Sequence, residues 1–484
     1  APPKLNLRLS LDGFDLDPLV TALQTAAAAV GGGADGALQL DGRNLTLAGL
    51  PLRGLNFDAT ATGGNWRLQR IVLDDLAGIR IEGAGRMENF STTPRGEFNV
   101  SASGARADGL VPLARLVAGE QTAQVVGALA PIAAPVKLAS TVVWSEAGGR
   151  NITIAGSMGQ LTGDVTFARS NAGVPLRIAL KGDATDGARF LSAFGVEGLG
   201  LTLGQRLGPA RIELSVDPLA PSEAQVRGRF VLADITAQLN GTARIVGSTV
   251  EPSFAVRLDG GDLGRVLPQA AAAAEGPVPT ALAFTLARRG AGWRLDAISG
   301  SLAAAPVSGY LDFEPGPVPR FGGKLAFDSL SLPRILATFA ARTGADAPAG
   351  PQGALPWGAG RVQPASVSGI GLSLELSAGR LAVLGPYALG NARLLLGSEG
   401  GDIDLRDMSG AIGGGRAAAS LRVRRQADQL QADGRLVLED VDAAALLSPA
   451  GPRQPPRGRV NLLLDLGGSG RSVMGVVQTL SGQG

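Results

Sequence analysis

Two acidic clusters are the first places where this chain could do chemistry: Asp402, Asp404 and Asp407, and Glu439, Asp440 and Asp442. Carboxylates this close together can ligate calcium or work as a general acid and base in hydrolysis. A simpler reading fits them better. Asp402 and Asp404 alternate with Ile403 and Leu405, which places the two charges on the solvated face of a strand. Neither cluster carries the Asp-x-Asp-x-Asp-Gly loop of a calcium site, and nothing pairs the carboxylates specifically. A third candidate, Gly31, Gly33 and Gly36, has the Gly-x-Gly-x-x-Gly spacing that cradles a dinucleotide when a strand precedes it and a helix follows. The order here is reversed, with an Ala-rich helical stretch before and a strand from Ala37 to Leu40 after, so a flexible turn is expected.

Composition removes most of the remaining enzyme chemistry. The 484 residues include His 0 and Cys 0, so no Cys/His zinc site, no Cys/His dyad and no Ser/His/Asp triad can form. The chain is therefore expected to be non-enzymatic, without metal or cofactor. Gly 71 and Pro 30 argue against long helices and for many short strands joined by turns, while 45% hydrophobic residues exclude a disordered chain. Aromatic residues make up only 4%, so the apolar surface must come from Leu, Val, Ile and Ala. The net charge is +2, acidic and basic residues are interspersed, and only Arg416 to Arg459 is locally basic. No recognition helix or stacking motif accompanies that stretch, so no nucleic-acid partner is expected.

The elements that must position any site announce themselves by alternation. Leu5, Leu7, Leu9 and Leu11 fall on one face of a strand, with Lys4, Asn6, Arg8 and Ser10 on the other. The same apolar rows recur at Leu176, Ile178 and Leu180, at Ile212, Leu214 and Val216, and at Phe254, Val256 and Leu258. They recur again at Leu282, Phe284 and Leu286, at Leu372, Leu374 and Leu376, and, interrupted by Leu463, at Leu462 and Leu464. Glycine turns such as Gly63-Gly64 and Gly400-Gly401 separate the strands, which predicts an antiparallel meander. Asp15 to Leu23, Asp108 to Val117, Thr185 to Phe194, Asp262 to Pro268, Ser331 to Phe339 and Asp440 to Leu447 read as short helical phrases between groups of strands. Phe14, Phe190, Phe194 and Phe339 lie in or beside these phrases and are expected to pack onto the sheet as plugs.

The phrases divide the chain into repeat units at 1–121, 122–207, 208–278, 279–343 and 370–459. A Pro/Gly-rich linker or long loop is expected at 344–369, and a separate C-terminal region begins at 460–484. About 25 strands at roughly 4.8 Å each are too many for an open flat sheet, so the sheet must curl. The expected fold is mainly β: a long twisted antiparallel meander sheet, curled into a taco-like groove, with short amphipathic helices between units.

The strands ending in Asp-x-x-x-Leu-Leu-like phrases, and Gly470-Arg471-Ser472 followed by Leu480-Ser481-Gly482-Gln483-Gly484, resemble the AsmA-like proteins of Gram-negative bacteria. That family is related to TamB and to bridge-like lipid transfer proteins. The resemblance implies a periplasmic groove, anchored in the inner membrane, that holds phospholipid or another acyl lipid on its apolar concave face and makes contact with the outer membrane. The chain is accordingly expected to be a segment of a longer protein whose anchor lies outside it. Two other readings use the same strands: a sealed structural or adhesive β-protein, and an assembly factor that holds outer-membrane proteins by pairing strands at a free sheet edge.

Overall fold

The computed structural model describes residues 4–18, 35–47, 49–89, 95–107, 109–112, 127, 133–145, 149–159, 161–169, 177–188, 207–220, 222–246, 249–266, 277–333, 335, 370–400, 402–426, 429–447, 457–471 and 473–484. Alternation dominates the sequence and strands dominate the fold. The first group is β1 (Lys4–Asp12), β2 (Asp35–Leu47), β3 (Leu50–Thr62), β4 (Asn65–Leu76), β5 (Ile79–Glu88), β6 (Arg95–Gly104), β7 (Val136–Trp144), β8 (Arg150–Met158) and β9 (Leu161–Arg169). Next come β10 (Arg177–Ala184), β11 (Ala210–Ala220), β12 (Glu223–Leu232), β13 (Ile235–Val246), β14 (Thr249–Gly260), β15 (Thr280–Arg289), β16 (Gly292–Leu302), β17 (Ala305–Glu314) and β18 (Arg320–Ser331). The last are β19 (Gly371–Leu384), β20 (Tyr387–Glu399), β21 (Asp402–Ile412), β22 (Gly415–Gln426), β23 (Gln429–Asp442), β24 (Arg459–Gly470) and β25 (Ser481–Gln483). Three short helices are described: α1 (Leu263–Val266), α2 (Ala443–Leu447) and α3 (Val473–Gln478).

The 25 strands form one mainly antiparallel sheet that is not closed into a barrel. Parallel pairing occurs at β1 with β2 and at β18 with β19, which tight turns cannot join. The stretch 344–369 lies outside the described residues, but the strands on either side of it are hydrogen-bonded neighbours. The chain forms two compact units: Ala1–Gly195, Arg206–Ala233 and Gln238–Val250 in the first, Val196–Gln205, Asp234–Ala237 and Glu251–Gly484 in the second.

Register carries the two-faced pattern across each unit. In the first, Leu7, Leu38, Ala59, Leu68, Gly85, Phe98, Val142, Ile152, Phe167, Ile178, Val216 and Val226 oppose one another in succession from β1 to β12. In the second, Phe254, Leu286, Leu295, Leu311, Gly323, Leu374, Leu396, Leu405, Leu421, Gly434 and Leu466 do the same from β14 to β24. A one-residue slip would turn every such row to the wrong face, so the apolar face itself specifies the register.

Strict alternation breaks at a recurring insertion. Leu73 and Leu76, Leu295 and Ile298, Leu405 and Met408, and Leu438 and Val441 are spaced by three rather than two, yet both members of each pair lie on the apolar face. The register shifts at each of these places, and the residue before the second apolar one takes a left-handed conformation: Asp75 at φ 58°, Ala297 at 52°, Asp407 at 50° and Asp440 at 53°. These are β-bulges, which bend a strand and sharpen its twist. Aspartate tolerates that conformation better than most residues because its short side chain can hydrogen-bond locally.

One end of the strands is capped. Asp15, Asp186, Asp262 and Asp442 each accept a hydrogen bond from the backbone N–H two residues on, at 3.1, 3.0, 2.9 and 2.9 Å, which starts a short turn or helix. Asp262 also accepts from the Val278 N–H at 2.8 Å, tying α1 to the segment leading into β15. Under these caps the strand ends are fully buried, at Leu76, Ile79 and Val136 in the first unit and at Leu381 and Val441 in the second. Residues 15–18, 109–112 and 187–188 form at most a turn or two among the described residues, and in the last phrase Asp440 and Asp442 still belong to β23. Phe14 corrects the expectation of a plug: it is 42% exposed, and Leu16 takes the buried place beside Leu45 and Leu52. Phe190, Phe194 and Phe339 lie outside the described residues.

Candidate functional site

Four of the six residues in the two acidic clusters have structural roles. Asp404 lies on the outer face between Arg406 and Arg422, at 3.4 and 3.0 Å, while Ile403 and Leu405 turn inward and are buried. Asp407 and Asp440 are bulge residues, Asp440 also pairs with Arg459 at 3.7 Å, and Asp442 caps α2. Among the described residues no group of three or more His, Cys, Asp or Glu could hold a metal ion. Gly31 and Gly33 lie outside the described residues, and Gly36 is already in β2.

What the fold does assemble is an extended apolar face. Ile178, Leu180, Ile212, Leu214 and Val216 come together on β10 and β11, where Ile178 opposes Val216 and Leu180 opposes Leu214. Phe254, Val256 and Leu258 oppose Leu286, Phe284 and Leu282 on β14 and β15. These residues are half-buried, apart from Ile212, which is buried near the capped end. Leu9 is half-buried beside the first core cluster, Leu7 is 39% exposed, Leu5 is described only by its register opposite Gly36, and Leu176 lies outside the described residues.

The row on a later strand of the second unit runs from half-buried to buried, with Leu372 and Leu374 half-buried. Leu372, Leu374 and Leu376 belong to β19, where Leu376 is 6% exposed within a cluster that includes Leu381, Leu394, Leu396, Leu405, Met408, Leu438 and Val441. Leu396 and Leu405 are buried among apolar side chains of this stretch's own strands, with Leu332 in the cluster and Leu446 packed against it. Tyr387 fastens the arrangement by donating its hydroxyl to the Leu446 carbonyl at 2.5 Å. On β24, Leu464 is half-buried and opposes Leu436, Leu462 is 37% exposed, and Leu463 faces outward at 52%.

The outer face is charged and internally paired. Arg211 binds Asp183 at 2.7 Å, Lys324 binds Glu375 at 2.5 Å, Asp312 accepts from Arg289 at 3.2 Å, and Arg435 holds both oxygens of Asp465 at 2.6 and 2.9 Å. The Arg435 hydrogen bond, reinforced by its charge, lowers the Asp465 carboxyl below its ordinary value, and the same bond raises the Arg435 guanidinium. Arg53 and Asp75 shift each other in the same sense. Exposed pairs of this kind contribute little stability each, but they keep charge off the other face.

Aromatic side chains meet near the uncapped strand ends within each unit. Trp144 meets Phe98 edge to face at 5.5 Å, Trp293 opposes Phe313, and Phe313 lies 5.0 Å from Phe321. Among the described residues no helix is long and apolar enough to cross a membrane. Comparison of the chain with protein-family models, with curated proteins and with solved structures gives no match.

Proposed function

We propose that the chain is a non-enzymatic groove protein whose apolar face binds acyl lipid. The observation that carries this reading is the half-burial of most apolar-face side chains away from the caps, such as Ile178, Leu180, Leu214, Val216, Phe254 and Phe284, beside an outer face that is charged and ion-paired. Burying an acyl chain against such rows supplies up to about 0.8 kcal/mol per CH₂, with no need for a catalytic group. The resemblance to AsmA-like proteins extends the proposal to a periplasmic setting, with lipid moving between the inner and outer membranes. The sealed cluster on β18 to β23 favours a second, purely structural role for that stretch.

Native mass spectrometry of the gently purified chain, followed by extraction and identification of bound lipid, tests the proposal. Stoichiometric acyl lipid, displaced by Leu214→Arg or Phe284→Arg in a folded protein, is the expected result. A chain that carries no lipid and leaves hydrophobic dyes dark overturns it.

A further inference from the structure

The apolar face carries almost no charge, and its exceptions share one sign and one place. Arg150 precedes Ile152 and Ile154 at the same parity on β8, and Arg288 follows Leu282, Phe284 and Leu286 at the same parity on β15. Each stands at the strand end away from the caps, and each lies directly opposite a tryptophan: Arg150 opposes Trp144, and Arg288 opposes Trp293. Arg169 and Arg425 hold the corresponding register positions on β9 and β22, opposite Arg150 and Leu430. Among the described strand residues at apolar-face positions, no Lys, Asp or Glu occurs.

These arginines share the apolar face, and they differ from the ion-paired arginines of the outer face. Arg150 and Arg288 are exposed and form no ion pair with any described residue; Arg288 donates only to the Gly290 carbonyl of its own turn, at 3.2 Å. By contrast, Arg80, Arg211, Arg289, Arg422 and Arg435 all face carboxylates. An unpaired guanidinium at the margin of an apolar surface can keep its stem on that surface and its charged head in water, ready for an anion that fits its fork of donors. The tryptophan across from it offers an apolar body at the same level.

We infer that the uncapped margin of each unit is a head-group subsite, and that the ligand is an amphiphile whose head is net anionic, a phosphate diester with no cationic group beside it or a carboxylate, above acyl tails. This rests on the groove reading and gives it a substrate class. The β8 strand from Arg150 to Met158 spans roughly 26 Å at about 3.3 Å per residue, and one leaflet of a bilayer occupies about half of its ~30 Å hydrocarbon core. The apolar rows between head-group subsite and caps are therefore deep enough for the tails.

The test uses the full chain and vesicle-borne fluorescent lipids with identical acyl chains: phosphatidylglycerol, zwitterionic phosphatidylcholine, and labelled fatty acid to separate phosphate from carboxylate. Arg150→Gln with Arg288→Gln is compared with wild type, with Arg150→Lys, and with the outer-face control Arg229→Gln, each checked for folding by circular dichroism. The double variant is expected to lose about tenfold or more in phosphatidylglycerol or fatty-acid binding and to keep phosphatidylcholine binding unchanged. The lysine variant should retain most of the preference for anions, and the control all of it. Wild type that binds all three lipids equally, with no effect of the double variant, overturns the head-group subsite and leaves the groove standing. Wild type that binds none overturns the groove reading and this inference with it.

Discussion

Leu405 and Met408 are three residues apart and enter the same buried cluster, because Asp407 between them turns through φ 50° and inserts one extra residue into β21. The aspartate that looked like a candidate ligand is what returns β21 to the apolar face. Replacing it with glycine should leave stability within about 0.5 kcal/mol of wild type, whereas Asp407→Val should cost about 1–2 kcal/mol, the penalty for an ordinary side chain in the left-handed region. Urea unfolding of the two variants measures this. A valine variant as stable as wild type would mean that the bulge is not a constraint, and a calcium-dependent rise in Tm lost in the glycine variant would restore the metal reading.

The sealed and half-open stretches of the sheet should respond differently to the same insult. Leu405 is 0% exposed, and Leu405→Ala should cost about 2–5 kcal/mol through the cavity it leaves. Leu7, at 39% exposure, should lose less than about 1 kcal/mol on the same change. Leu405→Arg should fail to fold, while Leu214→Arg should fold and lose lipid, since the arginine head can reach water from a half-buried row. Circular dichroism and lipid content together separate these outcomes, and equal losses at Leu405 and Leu7 would remove the distinction between the two stretches.

Glycine at 309 is required by backbone geometry. Its φ of 138° is disfavoured for L side chains, and a Cβ would run into the Lys324 carbonyl oxygen of β18. Gly300 and Gly323 on the neighbouring strands are in the same condition. Gly309→Ala should therefore destabilise by about 1–3 kcal/mol, although it fills space on an apolar surface. Chemical denaturation of the variant beside Ala326→Gly, an exposed outer-face position on the adjoining strand, gives the comparison; an alanine variant at least as stable as wild type would contradict the strain.

The Arg435–Asp465 pair gives a pH dependence of fixed sign. Folding holds the Asp465 carboxyl below its ordinary 3.8, so the pair's contribution is present in full above that value and is lost as pH falls through the lower folded one. The stability difference between wild type and Asp465→Asn should thus be flat from neutrality down to about pH 5 and shrink below about pH 4. High salt should reduce it throughout, since both partners are exposed. A difference that grows with acidification would reverse the assignment.

Much of this architecture was legible in the chain itself. Leu5 to Leu11 and Ile212 to Val216 declare strands and faces because side chains on a strand alternate locally, whatever lies beyond it. The aspartates that open the caps were legible as part of a recurring phrase. The bulges were missed because Leu405-Arg406-Asp407-Met408 breaks the period of two, although the three-residue spacing around an aspartate was the available signal. Arg150 and Arg288 were missed for a related reason: an arginine ending an apolar row reads as the start of a turn until register shows which face it shares.

The sequence by itself determined the two-faced strands, the meander and the exclusion of histidine and cysteine chemistry, all of which follow from residue type and local spacing. Only the tertiary structure decided which apolar rows are sealed. Leu282, Phe284 and Leu286 and Leu372, Leu374 and Leu376 carry the same pattern, yet the first row remains half-buried while Leu376 joins a closed cluster. Alternation fixes which face a side chain takes, but burial depends on the bend and twist that bulges give the sheet and on which residues from distant strands, such as Leu405, Leu438 and Val441, gather in the same cluster.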